Sequence, residues 1–159
     1  NGLAIGGAIT MPLSGADLIF MADDAWLGFY FGKRAIIPEF GANFVLPFLL
    51  GFQKAKEICF FGEKITAQQA FEMGLVNKVL PKEDLLTYSR EQALKLIPPN
   101  GPSLSIKLMK KTMHSYFIPI LEQTLNLENK GLRKTFRSKD FMESMNALKE
   151  KREPHFIGR

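Results

Sequence analysis

Residues 62–79 read GEKITAQQAFEMGLVNKV, and this stretch carries a complete helix signal. Thr66 followed by Gln69 forms a capping box: the hydroxyl accepts the amide three residues on, and the Gln side chain returns to the Thr amide. The box predicts a helix over Ala67–Met73, and Gly74 ends it. Val76–Val79 then reads as a short strand. A brief helix followed at once by a brief strand marks a mixed α/β chain.

Working upstream, Ala4–Asp17 is Gly-rich and apolar, and reads as a tight loop opening a buried helix with Pro12 near its start. Leu18–Met21 and Trp26–Phe31 read as short strands. Pro38-Glu39 suits a helix start, with Glu39 in the first turn where the helix dipole favours negative charge. Gly51 stops that segment. Gln53–Phe61 is helical, with Ala55, Ile58 and Cys59 at helix spacing.

Downstream, Lys82–Ile97 is an amphipathic helix ended by Pro98-Pro99. Pro102–Phe117 places Ile106, Met109, Met113 and Phe117 on one helical face. Pro119 opens a further helix, and Ser138 caps a last one. The expected organisation is thus alternating short strands and helices over 1–98, followed by an all-helical segment over 99–159.

The chain has 159 residues, enough for one domain with a core. Its single cysteine, Cys59, allows no internal disulfide and suits a reducing compartment. No apolar run reaches membrane-spanning length, so no membrane partner is expected. Fourteen Phe are many for this length; core and subunit interface, or an apolar ligand pocket, would use them. Residues 130–159 hold nine Lys/Arg against four Asp/Glu, while residues 1–129 are balanced at twelve each. The basic excess therefore lies at one end. Aromatic and Gly-rich nucleic-acid modules are absent, so a phosphate-bearing small ligand or a solvated helix face explains that excess better than nucleic acid does. His114 and His155 are isolated, and no metal site is expected.

Gly6-Gly7 at a helix start can bring bare N–H groups against a negative oxygen. NGLAIGGA (1–8), PEFGANF (38–44) and residues 62–79, in that order, resemble the crotonase (enoyl-CoA hydratase/isomerase) superfamily, and the similarity runs through all 159 residues. It implies the later part of a ββα spiral, then helices that build a homotrimer or a dimer of trimers. It also implies an acyl-CoA thioester as substrate, with no separate cofactor. In the family, the middle residue of the Gly run donates an N–H to the thioester oxygen; here that residue is Gly7. The second oxyanion donor and much of the CoA-adenine site would lie upstream of Asn1, leaving this chain with an incomplete site.

The family's hydratases use two glutamates. Their positions are filled here by Thr10 and Phe31, which can neither activate water nor deliver a proton. One carboxylate remains, Glu39 in P-E-F-G. A branch with P-E-G or P-E-x-G at this place resembles the chain best: the Δ3,Δ2-enoyl-CoA isomerases of the peroxisomal type and their bacterial relatives. There that Glu is the acid/base. Trp26, Phe31, Phe40 and Phe44 are expected to give it an apolar setting, and Ala4, Gly6, Trp26, Phe31 and Phe40 to surround the substrate.

The chain's end, FRSKDFMESMNALKEKREPHF (136–156), resembles the family's ending but departs from it at Ser144 and Leu148. The Lys of E-K-R there reaches a CoA phosphate, which points to Lys151, with Lys107 a weaker candidate. The resemblance thus implies isomerisation of 3-enoyl-CoA to trans-2-enoyl-CoA in fatty acid breakdown. Its setting would be cytoplasmic in a bacterium and mitochondrial or peroxisomal in a eukaryote. Another crotonase activity, such as hydration by Glu39 with an unusual second group, and a non-catalytic acyl-CoA-binding or assembly module are the alternatives.

Overall fold

In the computed structural model, which describes residues 1–159, Thr66 Oγ1 accepts the Gln69 amide at 3.2 Å and Gln69 Oε1 accepts the Thr66 amide at 2.9 Å. This reciprocal cap opens α4 (Ala67–Glu72). The strand before it, β4 (Lys64–Thr66), is antiparallel to β3 (Trp26–Gly28). On its other side β3 runs parallel to β1 (Leu3–Ile5), with Leu3 opposite Trp26 and Ile5 opposite Gly28. A second, two-stranded sheet pairs β2 (Phe20–Ala22) parallel to β5 (Lys78–Leu80).

Helices α1 (Gly7–Gly15), α2 (Ala42–Leu50) and α3 (Phe52–Phe61), with α4, link these strands, and α5 (Leu85–Leu94) follows β5. The main buried apolar cluster draws on residues from Ile9 to Leu85, and Phe29 and Leu46 are its largest fully buried side chains. Truncating Phe29 to Ala would cost about 3–5 kcal/mol by lost transfer and cavity formation. The last part of the chain is α6 (Ser103–His114), α7 (Phe117–Thr135) and α8 (Lys139–Glu150), with Ser138 Oγ accepting the Phe141 amide at 3.0 Å as the α8 cap.

The mixed α/β class is as expected, but several local boundaries move. The Gly-rich opening contains a strand, β1, because pairing with β3 outweighs weak local strand preference. Helix α1 therefore opens at once after Gly6, and Pro12 lies in its interior instead of near its start. The strand expected over Trp26–Phe31 stops at Gly28, and a 3-10 turn follows at Gly32–Arg34. That turn is fixed by close approach: a Cβ on Gly32 would collide with the Phe60 carbonyl. The helix expected over 82–97 is shorter, because a turn from Pro81 to Asp84 precedes it. The helix expected from Pro38-Glu39 starts four residues later, at Ala42.

Candidate active site

The first wall of the site is the junction of β1 and α1. Gly6 has φ +56° and ψ −125°, a conformation that side chains resist. Its N–H donates to Gly28 O at 2.9 Å, which ties the junction to β3. Its carbonyl accepts the amides of Ile9 at 3.0 Å and Thr10 at 3.1 Å. Gly7 and Ala8, the first two helical residues, keep N–H groups that no acceptor in the chain takes. The positive end of the α1 dipole adds to them.

The second wall is Pro38–Gly41. Phe40 has φ +59° and Gly41 φ +78°, so two successive residues are left-handed before α2 begins. A non-Gly residue in that region is costly and is held only where its surroundings dictate it. Here three contacts dictate it. Ser14 Oγ donates to the Phe40 carbonyl. Asn43 Nδ2 donates to Pro38 O at 3.1 Å. Glu128 Oε2 accepts the Gly41 amide at 2.7 Å. A Cβ on Gly41 would also run into Leu121 Cδ1 of α7, which would have to turn aside.

These two walls bring together residues 32 positions apart. Glu39 Oε1 lies 2.9 Å from the point where a Cβ on Gly7 would stand, and Phe40 Cε2 lies at the same 2.9 Å. The half-buried Glu39 side chain joins none of the chain's five ion pairs. A free carboxylate thus faces a helix N-terminus with bare amides. A ligand oxygen held at Gly7 would present its neighbouring carbon atoms to Glu39.

The first-turn role expected of Glu39 belongs instead to Glu128, which reaches α2 from α7. Glu128 is 3% exposed, and its Oε1 also accepts the Asn43 amide at 3.0 Å and Asn43 Nδ2 at 2.9 Å. Its spacing from Leu121, Leu125 and Leu132 puts it on the apolar face of its helix, but its partners lie 85 and 87 residues away and no local pattern names them.

Of the other expected site residues, Ala4 is half-buried in β1 opposite Leu27, and Gly6 forms the junction itself. Phe31 is buried, with Cε1 3.9 Å from the Cβ position of Gly6. Thr10 is fully buried, and its hydroxyl donates to Gly6 O at 3.4 Å. Trp26 opens β3, beside Tyr30 and beneath the Lys64 ammonium at 5.1 Å. Phe44 packs on Phe48 and Phe117. Lys151 is the exposed, left-handed residue ending α8, and its ammonium is in no ion pair. Ser144, where the resemblance leads one to expect Gly, is fully buried and donates to Arg34 O at 3.1 Å. Its hydroxyl thereby ties α8 to the 3-10 turn.

A separate cavity of about 520 Å³ lies between α2, α3 and α7, lined in part by Phe31, Pro38, Leu46, Cys59, Leu127 and Glu128. Neither Gly7 nor Glu39 lines it, though it backs onto the same Pro38–Asn43 segment. Burial pushes the Cys59 thiol up to about 11, so it stays protonated and weakly nucleophilic at neutral pH.

The family model described as enoyl-CoA hydratase/isomerase matches residues 1–159. The chain is 31% identical over its whole length to the 1,2-epoxyphenylacetyl-CoA isomerase of Escherichia coli K12, of which it covers 60%. It is 30% identical over its whole length to the crotonyl-CoA hydratase of Syntrophomonas wolfei, again covering 60% of that protein. Among solved structures, an enoyl-CoA hydratase/isomerase from Pseudoalteromonas atlantica T6c superposes with a TM-score of 0.89 at 27% identity, over 98% of this chain and 62% of that one. The chain spans about three fifths of the length of the relatives it matches. The crotonase-type α/β fold is the one observed.

Proposed function

This chain belongs to the enoyl-CoA hydratase/isomerase family, and from that premise we propose that the protein shifts the double bond of 3-enoyl-CoA thioesters to give trans-2-enoyl-CoA. The observation that carries this reading is the juxtaposition of the Glu39 carboxylate with Gly7 at the bare N-terminus of α1. The thioester oxygen binds at the Gly7 N–H. Glu39 removes a proton from the α carbon, and the electrons pass into a dienolate whose oxygen the N–H group stabilises. The same Glu, now protonated, returns the proton at the γ carbon. No water enters, and the carboxylate ends as it began.

One carboxylate suffices for this sequence, whereas adding water across the double bond calls for a second acid/base group. Thr10 and Phe31 occupy the two positions where the family's hydratases carry glutamates, and both are buried. The Thr10 hydroxyl is already spent on Gly6 O. Relatives bear both hydratase and isomerase names, so the choice between reactions rests on this geometry. The exposed Lys151, free of any ion pair, is the side chain we assign to a CoA phosphate, and assembly as a trimer belongs to the same reading.

The test uses full-length protein with 3-enoyl-CoA and, separately, trans-2-enoyl-CoA. The proposal requires interconversion of the two with little 3-hydroxyacyl-CoA. Efficient formation of the 3-hydroxyacyl product would overturn it.

A further inference from the structure

We propose that Glu128 is a positioning residue for Glu39: from α7, its carboxylate clamps the left-handed Phe40–Gly41 turn that aims Glu39 at Gly7. This rests on Glu39 being the base.

Glu128 is the only carboxylate among the buried residues of the chain. Its two oxygens accept three N–H groups, from Gly41 at 2.7 Å and from the Asn43 backbone and side chain at 3.0 and 2.9 Å. No Lys or Arg pairs with it. Its charge is instead met by the first amides of α2, where the helix dipole favours an anion. Burying a carboxylate without a cation is unfavourable unless its hydrogen bonds are complete, and here both oxygens are occupied.

An ordinary helix start needs no such device, because a Ser, Thr, Asp or Asn at its own N-cap supplies the acceptor. At α2 the N-cap is Gly41, and its backbone conformation favours Gly. Its φ of +78° lies in the left-handed region, and a Cβ would collide with Leu121 of α7. The turn that presents Glu39 therefore disfavours a local cap, and the acceptor comes from α7.

The clamp also brackets Glu39 on both sides. Directly, Glu128 holds the Gly41 amide, two residues after Glu39. Through Asn43, whose Nδ2 bonds both Glu128 Oε1 at 2.9 Å and Pro38 O at 3.1 Å, it holds the residue before. The strained Phe40, at φ +59°, lies between these anchors. Helix α7 approaches the same segment elsewhere along one stripe: a Cβ on Gly131 would strike Ile37 Cδ1. The late helices thus bear on the aim of a base that lies in the first forty residues.

The experiment compares wild type, Glu128→Gln, Glu39→Gln and the double variant in full-length protein. Glu128→Gln keeps the shape but sets an NH2 group against one of the N–H donors. It should lower kcat for isomerisation about 10–100-fold by misaiming the base, with acyl-CoA KM changed less than about threefold. Added to Glu39→Gln, it should cause almost no further loss, because a residue acting through Glu39 has nothing left to aim. The Gly41 amide proton, followed by NMR, should move upfield in Glu128→Gln as its charged acceptor is lost. Asn43→Ser, which removes the Pro38 arm and the side-chain donor to Glu128 but leaves both backbone amides on that carboxylate, should give a smaller loss of kcat in the same direction and serves if Glu128→Gln does not fold. Full activity in both Glu128→Gln and Asn43→Ser, or equal proportional losses with and without Glu39, would overturn the positioning role. Full activity in Glu39→Gln would instead overturn the base assignment on which it rests.

Discussion

The Glu39 carboxylate oxygen sits 2.9 Å from where a Cβ on Gly7 would stand, so the base occupies the space beside the helix N-terminus that a side chain there would fill. The relationship makes Gly7 a steric requirement as well as an N–H donor. Its absent side chain is the space that Glu39 and Phe40 occupy.

Gly7→Ala retains the N–H but places a methyl group against both Glu39 Oε1 and Phe40 Cε2. Displacing the base by about an ångström should cost roughly a hundredfold in kcat. The fold should survive, because Gly7 is not in the left-handed region and both neighbours are partly exposed side chains. Steady-state kinetics alongside a thermal melt separates the two effects. Wild-type kcat in this variant would contradict the geometry.

The C-terminal end predicts a pH effect of defined sign. Glu143 accepts from Arg152 Nη2 at 3.0 Å and from the His155 amide at 2.9 Å. Chiefly the Arg152 hydrogen bond, then that of His155, hold its carboxyl down at about 2, below the ordinary 4.5. A lowered folded value stabilises the native state above the unfolded value, and that contribution is lost as pH falls from about 4.5 to about 2. Glu143→Gln should therefore lower Tm slightly at pH 7, with the difference shrinking towards zero near pH 2. A difference independent of pH would contradict this.

Cys59 should react slowly while the protein is folded. With its thiol pushed up to about 11 by burial, from an ordinary 9.0, the thiolate fraction at pH 7.5 falls about a hundredfold. Iodoacetamide labelling, followed by mass spectrometry, should be slower by at least that factor than in urea-unfolded protein. Equal rates would show that the cavity wall around Cys59 is open.

Local chemistry made some of this legible in the sequence and distance hid the rest. The Thr66–Gln69 box and the Ser138 cap are short-range bonds between residues three apart, and both are present. The positions of β1 and the end of β3 depend on pairing with distant strands and on the approach of α3 to Gly32, which no local pattern encodes. Glu39 is legible as a candidate from its P-E-F-G setting, but it does not stand in the first turn of a helix as expected, since α2 begins at Ala42. The left-handed Phe40 and Gly41 intervene, and Glu128 takes the dipole instead. In the sequence Glu128 stands at helical spacing from Leu121, Leu125 and Leu132, a lone carboxylate on an otherwise apolar face whose partners the sequence does not name. Only the tertiary packing of α7 on α2 buries it.

In the proposed reaction a single carboxylate, Glu39, does the chemistry, and Glu39→Gln in full-length protein is the decisive variant. Gln keeps the size and hydrogen bonding of Glu but cannot take a proton. Turnover of 3-enoyl-CoA should fall by roughly 10²–10⁴-fold, the range that one general acid/base supplies, while the acyl-CoA dissociation constant stays within about threefold of wild type. Turnover within a few-fold of wild type would contradict the account.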